Sequence, residues 1–402
     1  MKTIFSDNYS NKIARLIEAG EFIDNIAGEI KYGTDEKAKQ KGVAFAEEVI
    51  NSVITDFEKT EELFNAGKVN VVDKMVHVST FDVIDNILYM TYYANVQEAK
   101  EEPTNQIARF VYCPIDDVEN KTFLDIQAVG DICYGLPVNQ VYDTIFARTD
   151  TNDIIILWTA KVGDNYYRLY RTFSTKTKEL GEVQVNRFKV GDIVNDFSTS
   201  GIKNAMAEND LHYKRMFNDI GIMQKFTSRI ENGEKYYYTG AYSGDYTWVI
   251  KSKDFITWEY VAQPDFLNNS KYENATYVIG NKCYYFVRQQ DEIKHGFLTV
   301  YDLDKETWEK PVLIEDCQSR SDFIEYKGEL YLFHAPVDRE HIGIVKINKD
   351  DIAKSEIVLE ANMRGSFFYP FIQYLDNQEL GISYTVDRKH IRLSKFTLSK
   401  YL

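Results

Sequence analysis

Between Lys271 and Glu360 the chain runs through one structural unit twice. Glu273-Asn274-Ala275-Thr276-Tyr277-Val278-Ile279 alternates up to the turn Gly280-Asn281, and Lys282–Arg288 and Gly296–Tyr301 follow. Asp322–Tyr326, the turn Lys327-Gly328, Glu329–His334 and Ile342–Ile347 repeat that order. Alternation with period two gives a strand two unlike faces, and Gly/Asn turns between such runs close antiparallel hairpins. A four-strand unit of about 40–50 residues cannot cover both of its faces alone, so such units must stack on one another.

The same unit extends along most of the chain. His77–Ile84, Leu88–Ala94, Ala108–Pro114 and Phe123–Val129 make a first set, and Val141–Ala147, Ile154–Ala160, Tyr166–Phe173 and Val183–Val190 a second. Gly221–Ser228, Tyr236–Tyr242, Thr247–Lys251 and Trp258–Val261 make a third. The two units above are the fourth and fifth, and Phe368–Leu375, Leu380–Thr385 and His390–Thr397 form a sixth with three strands. Second strands share one template, from Ile87-Leu88-Tyr89-Met90 to Leu330-Tyr331-Leu332-Phe333. The expectation is an all-β, six-bladed β-propeller of four-stranded antiparallel sheets, with five blades as the alternative count. Val69–Val72 is expected to supply the missing strand and close the ring. Asp192–His212 reads as an insertion carrying a short helix.

Residues 1–67 differ in kind. Ser10–Ala19 and Glu36–Ala66, rich in Ala, Glu, Lys and Ile, read as helices, so the expected division is an N-terminal helical segment (1–67) and a propeller (68–402). Val43, Ala46, Ile50, Val53, Phe57 and Phe64 form a stripe that either docks on the β-domain or seams a short coiled coil, which would make a homo-oligomer.

A net charge of −15 argues against nucleic acid as a partner. Cys113, Cys133, Cys283 and Cys317 show no metal-site spacing and read as idle thiols, His334 and His341 are not at ligand spacing, and no metal or cofactor is expected. No run is apolar enough to span a bilayer, and Met1–Asn8 turns polar at once, unlike a signal peptide. The expected location is the cytoplasm in which the chain is made, or a virion released by lysis.

Ser252-Lys253-Asp254-Phe255-Ile256-Thr257-Trp258 is the sharpest short motif, with a weaker copy at Asp302–Trp308. In such a turn the Asp accepts from its own backbone while the Trp packs between strands. The run resembles the Asp-box of sialidase-type propellers, with Ile256 where that pattern has Gly. Phe367–Leu375 and Tyr384–Ile391 resemble the last blade of sialidase-like proteins, and the resemblance covers Gly221–Leu402. It implies a Tyr nucleophile activated by a Glu, with three Arg gripping a substrate carboxylate and an Asp as acid/base. Position by position, Tyr369 matches the Tyr, Glu273 the Glu and Arg288 the Arg that follows, and Arg320 is a further Arg. The N-terminal Arg-Ile-Pro motif of that family is absent here. Asp82, Asp85 and Asp143 are acid/base or substrate-binding candidates by location.

The resemblance implies a glycan ligand and an exo-acting glycoside hydrolase built on Tyr369 and Glu273. Two other readings stand beside it: a non-catalytic glycan- or receptor-binding component of a phage tail, and a five-bladed glycosidase acting on polysaccharide through paired carboxylates.

Overall fold

A computed structural model describes residues 26–33, 35–57, 73–209, 211, 219–244, 246–264, 273–288, 295–315, 319–336, 338–375 and 379–402. They form six sheets. Sheet I comprises Met75–Ile84, Ile87–Asn95, Gln106–Pro114 and Thr122–Ala128 in sequence order. Sheet II is built on Leu136–Arg148, Ile154–Val162 and Asn165–Phe173, and sheet III on Thr227–Glu231, Glu234–Ser243, Tyr246–Ser252 and Thr257–Ala262. Sheet IV uses Asn274–Ile279, Lys282–Arg288, His295–Asp302 and Val312–Glu315, while sheet V uses Asp322–Tyr326, Glu329–His334, His341–Ile347 and Glu356–Asn362. Sheet VI holds Phe368–Tyr374, Leu380–Val386 and His390–Phe396. The innermost strand of each touches that of the next, from sheet III through IV, V and VI to I and II, so the sheets stand around a common axis. This is a β-propeller. Apolar clusters fill the wedges between sheets, as with Trp158 against Phe110 and Phe173, and Trp258 against Phe226 and Phe255.

The ring closes between distant parts of the chain. The fourth strand of sheet VI is Val53–Phe57, paired antiparallel with His390–Phe396. Val69–Val72, expected in that place, lies outside the described residues, as do Ser10–Ala19 and Cys317. The helix expected over Glu36–Ala66 therefore stops at Asn51. β-branched Val53, Ile54 and Thr55 favour an extended backbone, and the open edge of sheet VI offers them a ladder. The helix Glu36–Asn51 starts on Asp35, whose carboxylate accepts from Lys37 N and Ala38 N. Its apolar side docks on sheets V and VI: Phe45, Ala46 and Val49 pack with Phe333, Phe396 and Tyr401, while Val43 points outward. Gly42 lies so close that a Cβ there would stand 1.7 Å from the Glu360 carbonyl oxygen.

Two further departures shape the ring. The fourth strand expected at Val183–Val190 splits, with Gln184–Val185 on sheet II and Arg187–Val190 crossing to lie parallel to Thr257–Ala262 in sheet III. The helix Thr199–Glu208 packs Ile202, Ala205 and Met206 among Tyr166, Phe188 and Trp248, filling the wedge between sheets II and III. The turn at Ser252–Trp258 behaves as its chemistry predicts. Asp254 accepts from Ile256 N (2.8 Å) and Thr257 N (2.9 Å), Phe255 takes φ 62°, and Trp258 is fully buried. Cys113, Cys133 and Cys283 are buried free thiols, and His334 is a buried strand residue.

Candidate functional site

At one end of the axis the innermost strands lose their regularity. Sheet I bulges between His77 and Thr80, sheet II between Tyr142 and Ile145, and sheet VI between Phe368 and Phe371. Each bulge holds one non-glycine residue in the left-handed region: Val78 (φ 53°), Asp143 (φ 57°) and Tyr369 (φ 54°). Such a backbone costs about 1–2 kcal/mol per residue, and a bulge re-aims the side chain it carries. Val78, Asp143 and Tyr369 all line one cleft of about 520 Å³.

Glu273, Arg288, Arg320, Asp143 and Tyr369 meet in this cleft, although they come from four sheets. Glu273 stands just before the first strand of sheet IV and Arg288 ends its second strand; the two are joined by a backbone bond (Arg288 N to Glu273 O, 3.1 Å) and a side-chain ion pair. Arg320, just ahead of sheet V, donates to Gln224 Oε1 (3.1 Å), pairs with Asp143, and lies 3.8 Å from Glu273. Arg168, fully buried in sheet II, donates to the Asp143 carbonyl (3.1 Å) and to Thr159 Oγ1 (2.8 Å). The result is a chain of alternating charge, Arg168–Asp143–Arg320–Glu273–Arg288. Removing one member of such a buried chain leaves its neighbours uncompensated. Burial lowers Arg168 to about 10, whereas the charges of Asp143 and Glu273 outweigh burial at Arg320 and hold it firmly protonated.

Tyr369 sits in the middle. The Arg320 guanidinium lies 5.3 Å from its ring centre and the His77 ring 4.6 Å away. Burial first and the charge of Glu273 second push its phenol well above the usual range, against the pull of Arg288 and Arg320. Burial and then Arg388, Arg320 and Arg339 keep His77 neutral. Gly221 makes room for this arrangement, since a Cβ there would lie 2.1 Å from the Tyr242 ring and 2.5 Å from the Asp143 carboxylate.

Asp82 is not brought to the cleft. It lies further along its strand, buried beside Arg148 (3.5 Å), and Asp85 sits in the hairpin turn beyond it. Four charged residues line the cleft that the sequence motifs did not mark: Glu101, Asp219, Arg339 and Arg388. Glu101 accepts from Tyr93 Oη (2.6 Å) and pairs with Arg388 (3.1 Å), its side chain 29% exposed. It belongs to a loop organised by Asn95, whose side chain accepts from Gln97 N and Glu98 N. Arg388 lies in a turn with two left-handed residues, Asp387 and Arg388. Arg339 and Arg388 approach the same ring, Phe368, at 5.1 and 5.5 Å. Glu101, Arg339 and Arg388 all occupy connections between a second and a third strand, which reach the same end of the propeller as the strand starts. That shared position was the signal available in the sequence.

No family model matches the sequence, and no curated protein matches it. Solved structures do match in shape. The sialidase Hz136, described as a Hadza microbial enzyme, superposes with a TM-score of 0.59 at 12% identity, over 82% of this chain and 66% of its own. The K499G mutant of NanB sialidase from Streptococcus pneumoniae gives 0.53 at 10% identity, over 87% of this chain and 71% of its own. The fold is a sialidase-like β-propeller. A NanB structure with optactamide agrees, with a TM-score of 0.56 at 8% identity over 81% of this chain and 69% of that one. This chain thus spans just under two thirds of the length of Hz136.

Proposed function

We propose that the protein is an exo-acting glycoside hydrolase that removes an anionic sugar from the end of a glycan. The observation that carries this reading is the meeting of Tyr369, Glu273, Arg288 and Arg320, from three sheets, in one cleft. Paired guanidiniums bind a carboxylate in bidentate fashion, and a neutral phenol attacks next to that carboxylate without the repulsion a second carboxylate would bring. A substrate carboxylate held by Arg288 and Arg320 competes with Glu273 for the same guanidiniums. Glu273 can then take the phenolic proton as Tyr369 attacks the anomeric carbon.

The departing glycan oxygen needs a proton. Asp143 is held between two arginines, Arg168 and Arg320, and Asp82 lies elsewhere, whereas Glu101 pairs with one, Arg388, and is partly exposed at the cleft wall. Glu101 is therefore assigned as the acid that protonates the leaving oxygen. It then acts as the base that activates water against the glycosyl–tyrosine bond, and Glu273 returns the proton to Tyr369. Structural likeness to sialidases supports the fold beneath this scheme.

A panel of fluorogenic glycosides tests it. The expected result is turnover of an acidic glycoside, reduced to background by Tyr369→Phe and by about 10²–10⁴-fold by Glu273→Gln or Glu101→Gln. Binding on a glycan array without turnover of any glycoside would replace this reading with a non-catalytic glycan- or receptor-binding role.

A further inference from the structure

Sheets III and VI stand on opposite sides of the axis, yet one side chain joins them. The first strand of sheet III is interrupted: Ile222 pairs with Ala241 and Thr227 with Tyr238, so Met223–Phe226 stand opposite only Thr239 and Gly240. The surplus backbone leaves the ladder and re-aims the side chains it carries. Phe226 turns into the wedge against Trp258, whereas Gln224 and Lys225 reach across the axis. Lys225 Nζ lies 3.1 Å from Asp322 Oδ2 in sheet V, donates to the Ile372 carbonyl in sheet VI, and stands 4.5 Å from the centre of the Phe371 ring. Asp322 Oδ2 also accepts from Ile372 N (2.8 Å), so side chains hold both backbone groups of Ile372. We infer that Lys225 is a positioning residue. Its tie across the axis fixes the strand that starts at Tyr369 against the strand led by Arg320, and so sets where the nucleophile stands relative to the substrate carboxylate. This rests on the roles proposed above for Tyr369 and Arg320.

The tie lies close beneath the reacting groups. Asp322 is two residues beyond Arg320 and Ile372 three beyond Tyr369, which along a strand is about 7–10 Å. Gln224, next to Lys225, accepts from Arg320 itself (3.1 Å). Two neighbouring side chains of sheet III therefore hold the segment that carries Arg320 at two points. Tyr369 needs a hold of this kind, because its left-handed backbone sits where the register of sheet VI shifts, between Phe368 and Phe371. Stability alone does not account for the pair. Lys225 and Asp322 are both buried, and burial pushes Asp322 up to about 6 against the pull of Lys225. Asp322 Oδ1 is enclosed without a partner, a cost that packing with apolar groups would avoid. Apolar side chains of similar volume would stabilise the axis as well or better. They would not supply directional bonds from sheet III to the Ile372 backbone, and a reacting constellation must be held to within about 0.5 Å.

Lys225→Met, alone and combined with Asp322→Asn, tests the inference with a fluorogenic α-sialoside at a pH above 6, where Asp322 is charged. The single variant leaves Asp322 without its cation. The double variant carries no charge at either position and should regain a denaturation midpoint close to that of the unsubstituted protein. In both, kcat per folded molecule is expected to fall roughly 10²-fold with KM within about threefold, because binding tolerates a strand shift that attack does not. Deuterium uptake should rise in peptides holding Arg320–Phe323 and Tyr369–Ile372 and stay unchanged over the helix Glu36–Asn51. If the single variant does not fold, the double variant carries both readouts. Recovery of kcat along with stability in the double variant, or unchanged uptake at both strand starts, overturns the inference and leaves Lys225 a packing residue. An unsubstituted protein that turns over no sialoside removes the proposed reaction instead, and uptake at the two strand starts then decides the tie.

Discussion

At the mouth of the cleft the strands bend at left-handed Val78, Asp143 and Tyr369, and charge is buried in quantity. The seam that closes the ring is built the other way. There Val53–Phe57 extends the ladder of sheet VI through one register shift, between Val53 and Thr55, with no residue in the left-handed region, and the helix Glu36–Asn51 covers it with Phe45, Ala46 and Val49. Burying such apolar side chains is worth roughly 1.5–3 kcal/mol each, without desolvating a charge. The mouth sustains strained backbone and paired ions, whose net contribution to stability is small or negative. A propeller can carry an irregular site because its wedges and its seam supply the stability.

Damaging each region once sets the two apart. Asp143→Ala leaves Arg168 and Arg320 without their shared partner, and Phe45→Ala opens a cavity beneath the helix. Each is expected to cost about 3–5 kcal/mol in chemical denaturation. The regions separate on activity per folded molecule: Asp143→Ala loses it, whereas Phe45→Ala keeps it. Equal activity in the two variants would remove the distinction. A smaller effect is expected from Gly221→Ala, whose methyl must displace Tyr242 or Asp143, for about 1–3 kcal/mol and a disproportionate fall in turnover.

Two buried histidines distinguish the regions through pH. His77 at the mouth is kept neutral by burial and by three arginines, while His334, between Tyr32 and Phe286, is lowered by burial alone to about 3. Between pH 6.5 and about 3 the unfolded chain takes up a proton at position 334 and the folded chain does not, so folding stability falls as pH drops through that window. His334→Gln should remove a slope of at most roughly 1.4 kcal/mol per pH unit, read from denaturation midpoints. An unchanged slope would show that His334 is charged or solvated in the folded state.

Much of the fold is visible in the sequence because strand alternation and hairpin turns are local signals. Tyr284, Tyr331 and their equivalents fall on second strands as expected. The seam was harder to read. Val53–Phe57 follows directly on a helix-forming stretch, and only the open edge of sheet VI, made by residues nearly 340 positions later, selects a strand. The expected stripe is only partly in phase: Ala46 and Ile50 lie on the docked side with Phe45 and Val49, whereas Val43 points outward. At the mouth, Tyr369, Glu273, Arg288 and Arg320 could be matched through resemblance to sialidase-like proteins. Glu101, Arg339 and Arg388 carry no such motif, and only their shared place between second and third strands marks them in the sequence; Asp219, in a strand lead, lacks even that signal.

The claim that joins the mouth to chemistry is that Tyr369 forms a bond to the sugar. Incubation with 2,3-difluorosialic acid, whose fluorine substituents slow breakdown of a glycosyl–enzyme, followed by peptide mass mapping, tests it directly. The account predicts one added sugar on the peptide containing Tyr369, with none in the Tyr369→Phe protein. A sugar attached to Glu101 or Glu273, or none attached while the compound binds in the cleft, would contradict it.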